Sequence, residues 1–340
     1  MNSRERLYNR MAGKPVDRVP VVPIFMAWAA EYAGYTYGRY QQDYRAFADS
    51  MLRVLDRFEI DQATTLSDPH RETADYGADV CFVDDGVCRC RAPLLQEYGD
   101  IRKLRRMPIE ETTRMLDRVR GIERFNAERG GDISILGWVE GPLAEYCTLR
   151  TLEAAMTDLL TEPRFFHDVC AITMDNAIAW SRAQIEAGAD MIGVGDAASS
   201  LVSVDMFREH VLPWHQRLFG GIHAAGAKVR LHICGNIAHL LPAIHDSGAD
   251  IVDIDWMVDL RQARQALGAG ITLFGHFDPA AVLKMGTPED VAAHARADIA
   301  AGGDRFALMP GCEVPPGTSE ANIAAFCPGE GCLIRDALES

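Results

Sequence analysis

His232 and Cys234 are separated by one residue, at the end of the short apolar run Val229–Cys234. On an extended segment such residues point the same way, so an imidazole and a thiol face one spot. Cys312 ends another run of the same kind, Arg305–Met309 followed by Pro310 and Gly311. One imidazole and two thiolates make a good zinc set. Three protein ligands leave a fourth position for water, a substrate or an exchangeable carboxylate, as in catalytic rather than closed structural zinc sites. The competing explanation is a polar histidine beside two inert, buried thiols. Glu140, Asp196, Asp255 and Glu313 stand at comparable positions and are candidates for the fourth place. Each could instead hold substrate or orient a loop. Asp253 and Asp255 share a face, and either suits a partner that orients His232. His276 and Asp278 also face alike and suit acid–base work.

Positioning these groups requires elements that end together. Five segments repeat one pattern: a helix, a stop of small residues with Gly, then a β-rich apolar run. They are Ala187–Val194, Ala225–His232, Ser247–Ile254, Leu267–Phe274 and Ala301–Leu308. Gly ends a helix by taking the left-handed conformation, and short apolar runs suit strands buried on both faces. Helices are expected at Pro163–Gln184, Asp205–His223 and Asn236–His245, and further strands at Val19–Phe25, Asp61–Leu66 and Ile133–Val139. Alternating helices and about eight strands predict an α/β fold, a (β/α)8 TIM barrel with an N-terminal helical extension, spanning 1–340 as one domain. A doubly wound open sheet is the alternative, weakened because no GxGxxG or P-loop motif follows the first strand. Residues 80–91 read as a β-hairpin insertion turning at Asp85-Gly86. Its Cys88 and Cys90 have no third ligand nearby. In barrels the chemistry sits at the carboxyl ends of the strands. The ends here are Glu140-Gly141, Gly195-Asp196, His232–Asn236, Asp253–Trp256, Gly275–Asp278 and Pro310–Glu313. Trp28, Tyr32, Tyr35 and Tyr37 follow the first strand and are expected to line an apolar mouth suited to a flat ligand. Trp180, Trp214 and the Cys327–Cys332 loop are expected to be structural.

Composition narrows the function. The 340 residues carry 34 Lys plus Arg against 49 Asp plus Glu, a formal charge of -15. That balance argues against nucleic acid or an anionic membrane as a partner, and less firmly against a substrate with many carboxylates. Nine scattered cysteines read as reduced thiols. No secretory leader pattern or apolar run of about 18 residues is found, so a cytoplasmic location is expected.

Several of these segments carry a likeness. Arg4–Arg6 through Gly13–Pro20 resembles the start of the uroporphyrinogen decarboxylase superfamily. Gly195–Ala197, Leu231–Asn236 and Pro310–Pro316 resemble its cobalamin-dependent methyltransferase branch, and the likeness runs from residue 4 to about 326. It implies a (β/α)8 barrel, zinc on His232, Cys234 and Cys312, and a corrinoid carried by a separate protein that docks at the barrel mouth. The separate carrier also follows from the lack of a DxHxxG corrinoid motif. Gly235 and Asn236 are then expected at the cofactor-binding rim, with Asp196, Glu140, Asp255 and His276 as catalytic groups. The implied reaction moves a methyl group between a small methylated substrate and the corrinoid cobalt. Zinc would either present a thiolate acceptor or act as a Lewis acid on a methoxy donor. The aromatic residues after the first strand favour the donor side, O-demethylation of a methoxylated aromatic. The alternatives are transfer to a thiol or to tetrahydrofolate, uroporphyrinogen decarboxylation, and a ligand-binding barrel without turnover; oligomerisation is compatible with all of them. The decarboxylase branch fits poorly, because its Arg-rich stretch after the first strand is here Phe25–Tyr32, without arginine.

Overall fold

A computed structural model describes residues 1–339. In chain order the strands are β1 (Gln62–Thr64), β2 (Val80–Val83), β3 (Gly86–Cys90), β4 (Ser134–Glu140), β5 (Met191–Gly195), β6 (Lys228–His232), β7 (Ile251–Asp253), β8 (Thr272–Gly275) and β9 (Phe306–Leu308). Apart from β2 and β3, they form one curled sheet in the order β1-β4-β5-β6-β7-β8-β9, every pair parallel. The chain at 20–22 bridges its two edges. Val22 N–H donates to Leu308 O and Leu308 N–H to Pro20 O, both at 2.9 Å, while Asp61 N–H donates to Val21 O at 2.9 Å. The strand expected at Val19–Phe25 is therefore reduced to a single bridge, Val21 with Leu308. Pro20 and Pro23 have no N–H to give, so a full ladder cannot form there. This arrangement is the TIM-barrel type of fold, with seven regular staves and one irregular one.

Side chains alternate across the strands, as a period of two requires. Leu136, Trp138, Met191, Ile251, Phe274 and Met309 form an inner cluster with Val22 and Ile24. Ile135, Val139, Ile192, Val194, Val229 and Leu231 face outward into the larger layer beneath the helices. Helix Ser3–Met11 inserts Leu7 and Met11 into the inner cluster. Arg4 N–H bonds Asp132 O and the Tyr8 hydroxyl bonds Asp190 O, both just before β4 and β5. The N-terminal helix thus closes the end where strands begin and leaves the other end as the mouth.

The expected helix stops are present; Gly248 ends its helix with φ 88°. Helix Pro163–Ala187 runs 25 residues. The helix expected at Asp205–His223 contains a π turn over Phe207–Val211, before Pro213, whose missing N–H breaks the regular ladder. The helix expected at Asn236–His245 is corrected to Leu241–Ile244. Asn236 Oδ1 takes the Ala238 N–H at 3.1 Å, an Asx turn that competes with helix. The hairpin β2–β3 pairs Val83 with Gly86, so its turn is Asp84-Asp85 rather than Asp85-Gly86. It rests on the chain at 37–41 through Gly38 N–H to Asp84 O and Gln41 Nε2 to Gly86 O. Among the described residues, no helix is long and apolar enough to cross a membrane.

Candidate metal centre and its pocket

β6 carries His232 at its last position, with its side chain turned into the mouth, and Cys234 follows where the strand ends. Gly235 then takes φ 88°, a left-handed turn that side chains disfavour. Its N–H is held by Asp255 Oδ2 at 2.8 Å, which fixes the turn carrying Cys234. Cys312 arrives from the loop after β9. Gly311 is what lets it approach, since a Cβ there would stand 2.5 Å from Trp256 N.

The three ligand atoms lie within 4.8 Å of one another, the one such group of His, Cys, Asp or Glu among the described residues. His232 Nε2 is 3.1 Å from Cys234 Sγ and 3.8 Å from Cys312 Sγ, and the sulfurs are 3.7 Å apart. A tetrahedral zinc with Zn–S of about 2.3 Å and Zn–N of about 2.0 Å needs S···S edges of about 3.8 Å and N···S edges of about 3.5 Å. The donors therefore fit zinc, and the sulfurs are far outside the ~2.05 Å of a disulfide. His232 Nδ1 is engaged by Asp253 Oδ2 at 2.8 Å, so Nε2 is the nitrogen left for a metal. Asp253 is also gripped by Arg230 Nε at 2.8 and 3.0 Å, and Arg230 is completely buried.

Without metal the three ligands share protons. Burial lowers the basicity of His232, but Cys234 and Asp253 outweigh it, and its pKa rises well above the usual value. Hydrogen bonding with Cys312, together with burial, pushes the Cys234 thiol up. Cys312 is pulled down to about 4 by its bond from Cys234, despite burial, and by His232. The pair thus holds one thiolate opposite an imidazolium. At pH 7, zinc must then displace about two protons, one from His232 and one from Cys234. Zinc titration by calorimetry in buffers of different ionisation enthalpy should show release of about two protons and affinity that rises with pH. Release near zero would contradict this pairing.

The pocket above these ligands is lined by Ile24, Met26, Leu66, Asp68, Pro69, Trp138, Glu140, Gly195, Ala197 and Glu313, and has a volume of about 150 Å³. That is room for about five waters, a small molecule rather than a macrocycle. Trp138 stands in its wall because β5 has glycine opposite: a Cβ at Gly193 would lie 2.2 Å from the indole. Larger clefts at Met1–Arg6 and at Arg106–Pro108 lie elsewhere on the surface and contain no such ligand set.

The candidate carboxylates separate. Glu140 and Glu313 line the pocket. Burial raises Glu313 to about 7, aided by the Cys312 charge and opposed by His232. Glu140 is raised well above the usual range by burial and then by Glu72, which is itself raised to about 7 by burial. Asp255 binds the Gly235 and Met257 N–H groups and braces the Cys234 loop. Asp196 is fully buried, accepting from Ala144 N–H, Ser199 Oγ and His215 Nε2, outside the pocket lining. His276 is turned to Val258 O and Asp298, and Asp278 caps Ala280 and Ala281, so neither reaches the pocket. Asn236 is exposed beside the mouth.

The aromatic mouth is corrected. Trp28 is buried, donates to Thr318 O and stacks on Tyr32. Tyr35 bonds Asp49, and Tyr37 bonds Ser67 O. Trp28 and Tyr32 lie on helix Ala27–Ala33, Tyr35 in the link that follows and Tyr37 at the start of helix Tyr37–Gln42, and their contacts are with these neighbours; Met26 alone of the segment 26–37 lines the pocket. Sequence reasoning passed over Trp138 and Asp68. Asp68 follows β1, and the strand-end rule used for the other strands would have found it.

Fold and site now define a barrel with one imidazole and two thiols gathered at its mouth, a set that could hold a metal ion. Residues 2–328 match the uroporphyrinogen decarboxylase (URO-D) family, and the chain belongs to that family. It is 32% identical to a uroporphyrinogen decarboxylase of Nocardia farcinica over 72% of this chain and 69% of that one. It is 26% identical to a methylcobamide:CoM methyltransferase of Methanosarcina acetivorans over 94% of this chain and 95% of that one. Its fold matches a methyltransferase from Methanosarcina mazei with a TM-score of 0.87 at 20% identity, covering 100% and 98% of the two chains.

Proposed function

We propose that the protein is a zinc-dependent methyltransferase that moves a methyl group between the cobalt of a corrinoid on a separate protein and a small substrate held at the ligand set. The observation that carries this is the His232, Cys234 and Cys312 constellation opening onto a small pocket. Full-length similarity to a methylcobamide methyltransferase supports it. Decarboxylation is supported by the closer identity of one relative, but no arginine or lysine lines the pocket to hold porphyrinogen carboxylates. The methoxylated-aromatic donor rested on the rings of residues 28–37, none of which lines the pocket. A thiol acceptor fits the site better.

His232, Cys234 and Cys312 would hold zinc, which when bound lowers the pKa of a thiol at its open position. Leu66, Met26 and Trp138 exclude water from the substrate's carbon chain. Glu313, with a pKa near pH 7, is placed to accept the thiol proton. The S–C bond forms as the C–Co bond breaks, and that bond's electron pair stays with the corrinoid. The macrocycle is too large for the pocket and would lie across the mouth, beside Gly235 and Asn236. Exposed Leu201, Trp256 and Met257 stand on the loops after β5 and β7 and suit contact with the carrier protein.

Incubation of the zinc-loaded protein with a methylated corrinoid protein and small thiols tests the reading. The methylcobalamin spectrum should decay to that of reduced corrinoid, with thioether formed in equal amount. No transfer to any thiol, alcohol or folate, or from any methoxyarene, would sink the reading.

A further inference from the structure

We infer that the substrate held in this pocket has a neutral or cationic tail and that the pocket selects against an anionic one. This deepens the methyltransferase reading and rests on it. Three acid-bearing residues, Asp68, Glu140 and Glu313, line the pocket, and no lysine or arginine does. The remaining wall is mostly apolar. Its indole N–H, on Trp138, already donates to Glu140 Oε1 at 3.2 Å. An anionic tail would therefore find no lysine or arginine counter-charge in the wall.

The arginines behind the wall do not change this. Arg114 donates to both oxygens of Asp68 at 3.1 and 2.7 Å and to Gln41 O. Arg71 donates to Ser67 Oγ at 2.7 Å, to Asp68 at 3.4 Å and to the main chain at Gln41 and Arg114. Both are almost completely buried. Swinging either one outward would strand Asp68, a fully enclosed carboxylate. Arg230 lies below the ligands, fixed on Asp253 and Gln62. A cationic tail, in contrast, meets Glu313 and the face of Trp138, a combination that suits ammonium groups. A hydroxyl tail needs only one acceptor.

Three thiols with a two-carbon chain separate the possibilities: thiocholine, 2-mercaptoethanol and 2-mercaptoethanesulfonate. The full-length protein loaded with cobalt(II) in place of zinc reports thiolate binding by its sulfur-to-metal absorption band. Dissociation constants are compared per thiolate at low salt. Thiocholine and mercaptoethanol are expected to bind at least tenfold more tightly than the sulfonate. In Glu313→Gln the advantage of thiocholine over mercaptoethanol should shrink severalfold, and added salt should shrink it in wild type. Binding of the sulfonate as tight as that of mercaptoethanol, or no thiol binding by metal-loaded protein, overturns the inference while leaving the metal site standing. Failure to take up cobalt or zinc at all overturns the methyltransferase reading first, and this inference with it.

Discussion

Cys312→Ser is expected to weaken zinc binding by about a hundred- to a thousandfold. A four-ligand zinc site in a small domain is worth about 10–16 kcal/mol, so each ligand carries about 3–4 kcal/mol, or two to three decades in affinity. Serine keeps the size of the side chain but offers a hydroxyl that stays protonated where the thiol ionises. In the wild-type protein Cys312 is the thiolate of the metal-free site, with its pKa drawn down to about 4. The substitution therefore removes both a donor and the charge that faces the imidazolium. Competition against a chromophoric chelator measures the affinity, and circular dichroism checks the fold. Cys312 is only partly buried, so the fold should survive. A serine variant that holds zinc as tightly as wild type would remove Cys312 from the ligand set.

Asp253→Asn should act twice. Asp253 orients His232 through Nδ1 and neutralises the completely buried Arg230. Loss of an orienting partner of this kind typically costs 10–100-fold in metal affinity. Removing one member of a buried ion pair costs about 3–5 kcal/mol; asparagine retains one acceptor, so about 3 kcal/mol is expected. Burial alone would raise the Asp253 carboxyl, but Arg230 and His232 prevail and hold it below the usual carboxylate range. Its contribution is thus present above the unfolded value of about 3.9 and is lost as pH falls through the lower folded value. Urea unfolding at pH 7 should show the loss in the variant, and the gap from wild type should narrow in acid. Unchanged zinc affinity with unchanged stability would show that neither contact matters.

Some of this was legible in the residues alone. A spacing of two on a strand puts His232 and Cys234 on one side whatever the surroundings, because the pleat alternates. Gly after each helix marked where strands begin, because few other residues take a positive φ cheaply. The irregular stave at 20–22 was readable too, since two prolines cannot pair fully, although the strand there was expected to be regular. Other features depended on long-range packing. Asp253 and Asp255 look equivalent in sequence, yet the first touches His232 and the second the Gly235 N–H. That difference comes from β7 ending at Asp253, after which the chain turns away from the ladder.

The same distinction separates the aromatic residues. Tyr32, Tyr35 and Tyr37 could have faced a mouth or a helix layer, and local sequence does not distinguish two apolar environments. Trp138 reached the pocket because Gly193 and Gly195, more than fifty residues later, leave its ring space. His276 also follows a strand end, as an acid–base candidate, but the loop after β8 turns it toward Asp298. The sequence by itself determined the donor types, their presence at strand ends and the alternation that builds a barrel, because these follow from local geometry and covalent chemistry. The tertiary structure alone decided which carboxylates face the metal ligands, which arginines neutralise them and how much room remains. Those properties depend on side chains brought together across the barrel, where close packing leaves each group only one place to go.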